Sequence, residues 1–229
     1  MMGQAMSNSP CVERPVSGSY AAVRRGGLAV MAALVLSANM LSPAKAEIDV
    51  RTFDPPKVLG AFSLKDHNKQ SFGLDRLKGR WSLVLLGYTH CPDVCPFTLT
   101  NLAHVIEQLK SQMRPDSLPQ VIFVGVDPDR DAAVLAKYMP HFDPDFLGVT
   151  GAWPEITKVV ESLDGFVRIM KKSKDDEGYA VRHSSRISLI DPQGRIVAQI
   201  NPPMPPSETA MFIAKTIRTY RKQAKRRGN

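Results

Sequence analysis

Hydrophobic and polar positions follow two different periods along the chain, and this contrast predicts a domain that contains both strands and helices. Continuous apolar runs of strand length occur at 82–88 and 121–126, as is typical of strands that are buried on both faces. Between these runs, apolar residues recur every three or four positions, which predicts an amphipathic helix over 97–112. The centre of the chain therefore indicates a strand, a helix and a second strand.

Shorter elements are predicted on both sides of this central unit. Polar turns at 66–69 and 191–194 each lie between two apolar segments, so each predicts a β-hairpin. The hairpin strands are expected at 58–64 with 70–72 and at 187–190 with 195–200. The other expected elements are a strand at 166–170 and helices over 131–138, over 154–163 and from Ser207 onward. This order predicts an α/β fold with a mixed central sheet, helices on both faces and an added N-terminal hairpin.

The N-terminal segment 1–46 has the pattern of an export signal. Arg24 and Arg25 precede an apolar stretch at 28–41, and the Ala-Lys-Ala sequence that ends at Ala46 offers a small-x-small cleavage site. Because the apolar stretch is short against the roughly 20 residues of a spanning helix, we predict cleavage after Ala46, with an uncleaved membrane anchor as the alternative. Either way the body of the protein is expected to be exported, to the periplasm or the outer face of the inner membrane.

Composition and charge divide the remainder of the chain. We predict a proline-containing linker at 47–57, one folded domain at 58–220 and a basic tail at 221–229. The net charge of +8 is concentrated at the C-terminus, because residues 47–214 carry 19 basic and 21 acidic residues. The tail is either a solvated helix end or a contact with an anionic membrane surface or an acidic partner. No recognition motif accompanies the basic residues, so nucleic acid is not expected as a partner.

Candidate chemistry is concentrated at the end of the first apolar run. Cys91 and Cys95 lie four positions apart, directly before the predicted helix, and Pro96 suits the first turn of that helix. Helix N-termini favour thiolates, which are the reactive and metal-binding form of cysteine. The third cysteine, Cys11, lies in the predicted signal. The pair therefore indicates redox chemistry, soft-metal binding or both; a structural disulfide is less favoured because so short a loop constrains the unfolded chain little.

Further sequence blocks place this dithiol in a known context. In chain order the blocks are GYTHCPDVCP at 87–96, VDPDRD at 126–131, FLGVTG at 146–151, and His183-Ser184 before LIDPQG at 189–194. Their order and spacing resemble the Sco/SenC family of copper-binding assembly factors, a branch of the thioredoxin superfamily. The resemblance covers roughly residues 55–215 and implies a thioredoxin-like fold.

The resemblance also implies a function. In that family two motif cysteines and a distant histidine bind copper, and these roles carry over to Cys91, Cys95 and His183. The residue types fit, because thiolates suit Cu(I) and imidazole suits both copper oxidation states. The implied protein is a metallochaperone that receives copper from an upstream donor and delivers it to the copper-centre subunit of cytochrome c oxidase, without catalytic turnover.

Other functions for the same dithiol stay open. A thiol-disulfide oxidoreductase that reduces cysteines of the oxidase, or of another exported partner, needs Cys91 and Cys95 but no imidazole, so His183 separates it from a copper carrier. Zinc is acceptable to two cysteines and one histidine. A peroxidase of the peroxiredoxin type is faintly suggested by Thr89 and the proline beside the cysteines.

The remaining histidines are weaker ligand candidates. His90 adjoins Cys91, and we expect it to point away from the metal or to tune the site. We expect His104 to be structural or at the surface, and His67 and His141 to be solvated.

Two charged residues beside the motifs also bear on the site. Asp127 ends the second buried strand and either orients the dithiol loop without binding the metal or forms a turn. Many relatives have an acid immediately before the histidine, where this chain has Arg182. We therefore expect the surface that meets the partner to differ more than the ligand set.

Overall fold

The two apolar runs form adjacent parallel strands in the middle of an eight-stranded mixed sheet. The structure is a computed structural model that describes residues 47–173, 176 and 178–227, with side chains through residue 223. The strands are β1 (Asp49–Val58), β2 (Ser63–Asp66), β3 (Ser71–Gly73), β4 (Ser82–Gly87), β5 (Gln120–Gly125), β6 (Leu147–Thr150), β7 (Val167–Met170), β8 (Ala180–His183), β9 (Ile187–Ile190) and β10 (Arg195–Asn201). The helices are α1 (Val94–Lys110), α2 (Pro128–Tyr138), α3 (Trp153–Ser162) and α4 (Pro206–Arg227), with short 3-10 turns at Leu74–Leu77, Pro115–Ser117 and Met139–His141.

The topology brings three strand ends and three helix starts to one edge of the sheet. The strand order is β1-β10-β9-β4-β5-β6-β2-β3, in which β4, β5 and β6 are parallel and β9 is antiparallel to β4. Because α1, α2 and α3 follow β4, β5 and β6 in the chain, their N-termini lie at the carboxyl edge of these strands, where α/β folds usually place their sites. The strands β7 and β8 form a separate antiparallel pair.

Burial follows the pattern of the sequence. Every residue of β4 is buried, as expected for a strand covered on both faces. The apolar stripe of α1, which includes Leu99, Leu102 and Val105, is fully buried in the core. The predicted α/β class and its mixed central sheet are therefore confirmed, and α1 begins at Val94, three residues before the predicted start.

Residues 47–57 differ from the prediction. They were predicted as a linker because of Pro55 and Pro56, but most of them form β1, which pairs antiparallel with β10. The linker prediction is wrong because β1 is an edge strand, where a proline can occupy a position whose missing N–H faces away from the neighbouring strand. The pairing register also shifts between Thr52 and Lys57, around the two prolines.

Other differences concern short elements and the two ends. The N-terminal hairpin has the predicted turn, but its strands are β2 and β3. The four-residue strands β6 and β8 were not predicted. The last helix begins at Pro206 and continues to Arg227, so the basic residues there extend α4.

The predicted signal or anchor at 1–46 lies outside the described residues. Within the described ranges, no helix has the length and apolar character that crossing a membrane requires.

Candidate metal centre

The dithiol lies where β4 passes into α1, as the sequence predicted. Cys95 is in the first turn of α1 and is 3% exposed, whereas Cys91 is half-buried in the preceding loop. Both are free thiols. Gly87, the last residue of β4, allows Phe123 and Cys95 to pack closely against the strand. A Cβ there would lie 2.3 Å from the ring of Phe123 and 3.3 Å from Cys95 Sγ.

His183 comes to the dithiol from a separate element. It is the last residue of β8, a strand that the sequence did not predict. Its Nε2 lies 3.6 Å from Cys95 Sγ, and its Nδ1 lies 2.9 Å from the carbonyl oxygen of Ser184. Because a carbonyl only accepts, Nδ1 carries the proton, and the Nε2 of a neutral ring then directs its lone pair at the sulfur.

The two thiols differ in their acidity. Burial works against the Cys91 thiolate, but hydrogen bonds from the backbone amides of Asp93, Cys95 and Val94 outweigh it and lower the pKa of Cys91. These amides belong to the start of α1, where anions are stabilised. Burial strongly raises the pKa of the Cys95 thiol, and the Cys91 charge adds to the effect. The pair therefore combines a more acidic, accessible thiol with a buried thiol that keeps its proton.

The imidazole is also adapted to bind a cation. Burial lowers the pKa of His183, so the ring is neutral at neutral pH. Its side chain lies against Tyr88, with ring centroids 5.9 Å apart in an edge-to-face arrangement. A buried sulfur, a half-buried sulfur and a neutral imidazole therefore lie near the carboxyl end of β4. This donor set is suited to soft metals.

Asp131, which the sequence analysis did not single out, fixes the start of the dithiol loop. Its Oδ1 accepts hydrogen bonds from the N–H and the hydroxyl of Thr89, at 2.7 and 2.8 Å. Its Oδ2 accepts a hydrogen bond from the N–H of Asp127, at 2.9 Å. The carboxylate lies in the first turn of α2, so it joins α2 to the loop that leaves β4. The only signal in the sequence was its place in the VDPDRD block.

Asp127 does not orient the dithiol loop directly. Its fully buried carboxylate accepts hydrogen bonds from Tyr179 Oη at 2.8 Å and from Arg130 Nε at 2.5 Å. The Arg130 guanidinium lies 3.6 Å from the ring centroid of Tyr179 and 5.7 Å from that of Tyr88. Asp127 is therefore linked to His183 indirectly: it binds Arg130, Arg130 lies near the Tyr88 ring, and Tyr88 packs against His183.

The other histidines are separate from the dithiol. His90 is exposed, and its Nδ1 lies 3.1 Å from Thr89 Oγ1. His104 and His141 are exposed, as expected. The prediction that His67 is solvated is wrong: it is half-buried, and its Nδ1 accepts a hydrogen bond of 3.0 Å from the backbone of Gly148, which pairs the hairpin turn with β6.

The centre is only partly assembled as a metal site. Within residues 47–173, 176 and 178–227, no three His, Cys, Asp or Glu side chains form a ready-made metal cluster. Cys95 contacts His183, and these two residues with Val94 line a cavity of about 10 Å³, close to the space that one water molecule needs.

Comparisons with known proteins agree over most of the chain. A family model described as SCO1/SenC matches residues 51–218. The chain is 35% identical over 161 residues to an SCO2-like protein of Rickettsia conorii, covering 70% of this chain and 77% of that protein. It is 31% identical over 228 residues to the mitochondrial SCO1 homolog of Homo sapiens, covering 97% of this chain and 74% of the human protein.

A solved structure gives the same result. The copper-bound ScoI of Arabidopsis thaliana superimposes with a TM-score of 0.65 at 29% identity, covering 71% of this chain and 99% of that chain. The shared architecture confirms the predicted thioredoxin-like fold. With a family model matched over far more than half of its length, the chain belongs to the SCO1/SenC family.

Proposed function

We propose that this protein is a copper carrier in which Cys91, Cys95 and His183 bind the ion, and that it delivers copper to the dinuclear copper centre of cytochrome c oxidase. The observation that carries the proposal is the approach of His183 Nε2 to Cys95 Sγ, 3.6 Å apart although 88 positions separate the residues. A dithiol that acted only by redox exchange would have no use for this imidazole. Two related structures support the same function. Arabidopsis thaliana ScoI was solved with copper bound, and BsSco belongs to the Sco family of cytochrome c oxidase assembly proteins.

The three proposed ligands contribute to binding in different ways. Cys91 supplies thiolate character, because the amides at the start of α1 lower its pKa. Cys95 gives up its proton when the ion binds, since thiols bind metals as thiolates. His183 needs no deprotonation, because its Nε2 is already free of a proton and its Nδ1–H is held by Ser184. Three protein ligands leave a position open, through which an upstream donor and the oxidase subunit can exchange the ion.

The direct test is His183→Ala, with His90→Ala as the matched control. Both are single imidazole deletions close to the dithiol, but only His183 contacts a cysteine sulfur. We expect the His183 variant to lose copper affinity by roughly tenfold or more, whereas the His90 variant binds as the unmodified chain does. Copper is measured by competition with a chelator of known affinity, on the reduced full-length protein. Equal affinity of the two variants would refute the ligand assignment.

A second candidate, thiol-disulfide exchange, is favoured by the unequal thiols. A more accessible thiol of lowered pKa beside a buried thiol of raised pKa is an arrangement suited to attack by Cys91 and resolution by Cys95. The His183→Ala variant separates the two functions, because it should keep the reduction potential of the dithiol while it loses copper. Loss of oxidase assembly in cells that carry this variant would assign the essential step to copper.

The cellular location follows from the same proposal. An exported carrier with residues 1–46 as a signal or a membrane anchor would meet the oxidase at the outer face of the inner membrane, where the basic C-terminus could contact the membrane surface. N-terminal sequencing of the mature protein tests this part: a start at Glu47 indicates cleavage, and an intact leader indicates an anchor.

A further inference from the structure

The outer face of the β7–β8 hairpin carries an unusual set of side chains. Exposure alternates from Phe166, directly before β7, through the strand, so that Phe166, Arg168 and Met170 point outward while the residues between them are half-buried. Across the hairpin, Arg182 is exposed and pairs directly with Arg168 in the antiparallel register. Together these four residues form what is called here the hairpin outer face, and the strand that carries Arg182 ends one residue later at His183.

The two arginines lie directly opposite each other on the hairpin outer face. Like charges directly opposite on one face of an antiparallel pair destabilise that pair. In the part of the chain that the structure describes, neither Arg168 nor Arg182 makes a side-chain hydrogen bond or ion pair, whereas the nearby Lys171 is paired with Asp129 at 3.5 Å. Both guanidinium groups are exposed and have no ionic partner among the described residues, so they can pair with an anionic partner.

The apolar members of the face indicate what kind of partner this is. Phe166 is 54% exposed and Met170 is 43% exposed, although both are large apolar side chains. Aromatic residues, methionine and arginine are the types enriched in protein–protein interfaces, while lysine is depleted there. A membrane contact would instead favour clustered lysines and arginines without this alternation. The composition therefore favours a protein surface.

We propose that the hairpin outer face is the docking surface for an acidic protein partner, whose carboxylates pair with Arg168 and Arg182 around an apolar contact with Phe166 and Met170. The inference rests on the proposed copper-carrier function, because the partner that it names is the protein that receives the ion. The hydrogen bond from the N–H of Phe166 to Ser184 Oγ, 3.0 Å long, ties this surface to the residue that follows His183. Charges at such a rim act chiefly on the rate of association.

The test compares two double charge reversals in the full-length chain. Arg168→Glu/Arg182→Glu alters the hairpin outer face, and Lys78→Glu/Arg80→Glu makes the same change in charge at exposed positions before β4, at the opposite edge of the sheet. The probe is the purified, copper-free oxidase subunit that carries the dinuclear copper centre. Copper transfer is followed at low and high ionic strength, and binding of the copper-free chain to the probe is measured by calorimetry.

We expect the Arg168/Arg182 reversal to slow transfer and to weaken copper-free binding by roughly tenfold at low ionic strength, with the difference shrinking in salt. The Lys78/Arg80 reversal should stay near the unmodified rate, and both variants should retain copper. Equal effects of the two reversals would overturn the proposal. The proposal would also be overturned if the Arg168/Arg182 reversal weakened binding to phosphatidylglycerol vesicles but left binding to the oxidase subunit unchanged. That result would assign the arginines to a membrane. Because the calorimetry uses copper-free protein, failure of copper binding itself would not obscure the result for docking.

Discussion

At the scale of single residues, the centre depends on the contrast between two cysteines in one loop. Cys91 is made acidic by the amides of a helix start, while Cys95, in the first turn of the same helix, is buried and protonated. His183 contacts the buried sulfur, which brings a neutral imidazole to the thiol that a partner reaches least easily. In the proposed carrier, this asymmetry would give an entering ion one accessible ligand and two enclosed ligands.

The geometry of the loop depends in turn on Asp131. Replacing Asp131 with Asn exchanges a carboxylate oxygen for an amide donor, although three donors from Thr89 and Asp127 converge on the two oxygens. We expect Asp131→Asn to lower the free energy of unfolding by about 1–3 kcal/mol, because a buried donor is left without an acceptor. It should also weaken copper binding, since the loop that carries Cys91 starts at Thr89.

Asp129→Asn is the control for this prediction. Asp129 lies in the same turn of α2, but its side chain is exposed and pairs, among the described residues, with Lys171 at the surface. Its replacement should change the free energy of unfolding by less than about 0.5 kcal/mol in urea denaturation. Equal destabilisation by the two variants would mean that the Asp131 hydrogen bonds do not hold the loop.

The sequence predicted the residues that could bind copper but not the residues that hold them. Cys91, Cys95 and His183 occur in recognisable blocks, whereas Asp131 acts through contacts 42 positions away in the chain. The helical pattern places Asp131 in the first turn of α2, but it does not indicate which loop its carboxylate contacts. Asp127 looked equally suited to orient the loop, yet its carboxylate faces Tyr179 and Arg130.

At the scale of elements, the β7–β8 hairpin determines where the imidazole lies. The hairpin is not part of the large sheet, so its position depends on side-chain contacts. Tyr179 precedes β8 and donates to the buried Asp127, and its backbone carbonyl accepts a hydrogen bond from Arg130 at 3.1 Å. These bonds hold the strand that ends at His183 against the start of α2.

Tyr179→Phe should therefore loosen the hairpin without changing any proposed ligand. The buried Asp127 carboxylate loses one donor, and we expect a loss of about 1–3 kcal/mol in the free energy of unfolding. Hydrogen exchange in β8 should become faster, and copper affinity should fall. Tyr138→Phe is the matched control, because the buried hydroxyl of Tyr138 has no hydrogen-bond partner among the described residues. Unchanged exchange in β8 of Tyr179→Phe would contradict this role for the hydrogen bond.

Elements with long, regular patterns were predictable, and those that depend on their neighbours were not. The buried strand β4 and the helix α1 have clear periods and were predicted within three residues of their ends. The strand β1 contains two prolines, and it forms a strand because it pairs with β10 at the edge of the sheet. The strand β8 pairs only with β7 among the described strands, and no element was predicted there.

At the scale of the whole molecule, ion pairs fasten the edge strand β1 to the end of α3. Lys57 donates a short hydrogen bond to Asp164, and Arg51 lies 3.6 Å from the same carboxylate. The hydrogen bond from Lys57 lowers the pKa of Asp164, against the opposing effect of partial burial. A carboxyl whose pKa is depressed on folding stabilises the protein above its unfolded pKa and loses that contribution as the pH falls through its folded pKa.

Asp164→Asn should thus be less stable than the unmodified chain at pH 7, by less than about 1 kcal/mol because the side chain of Asp164 is 36% exposed. The difference should shrink as the pH falls below about 4 and should also shrink in high salt. Urea unfolding at several pH values measures it. A difference that is constant from pH 7 to pH 3 would show that the ion pair is not its origin.

The central claim is that three side chains, distant in the sequence, bind one copper ion. X-ray absorption spectroscopy of the reduced, copper-loaded chain measures this directly, since sulfur and imidazole nitrogen scatter differently. The account predicts two sulfurs and one imidazole nitrogen around copper, with the imidazole signal absent from His183→Ala and unchanged in His90→Ala. An unmodified imidazole signal in His183→Ala, or copper that binds without both sulfurs, would contradict it.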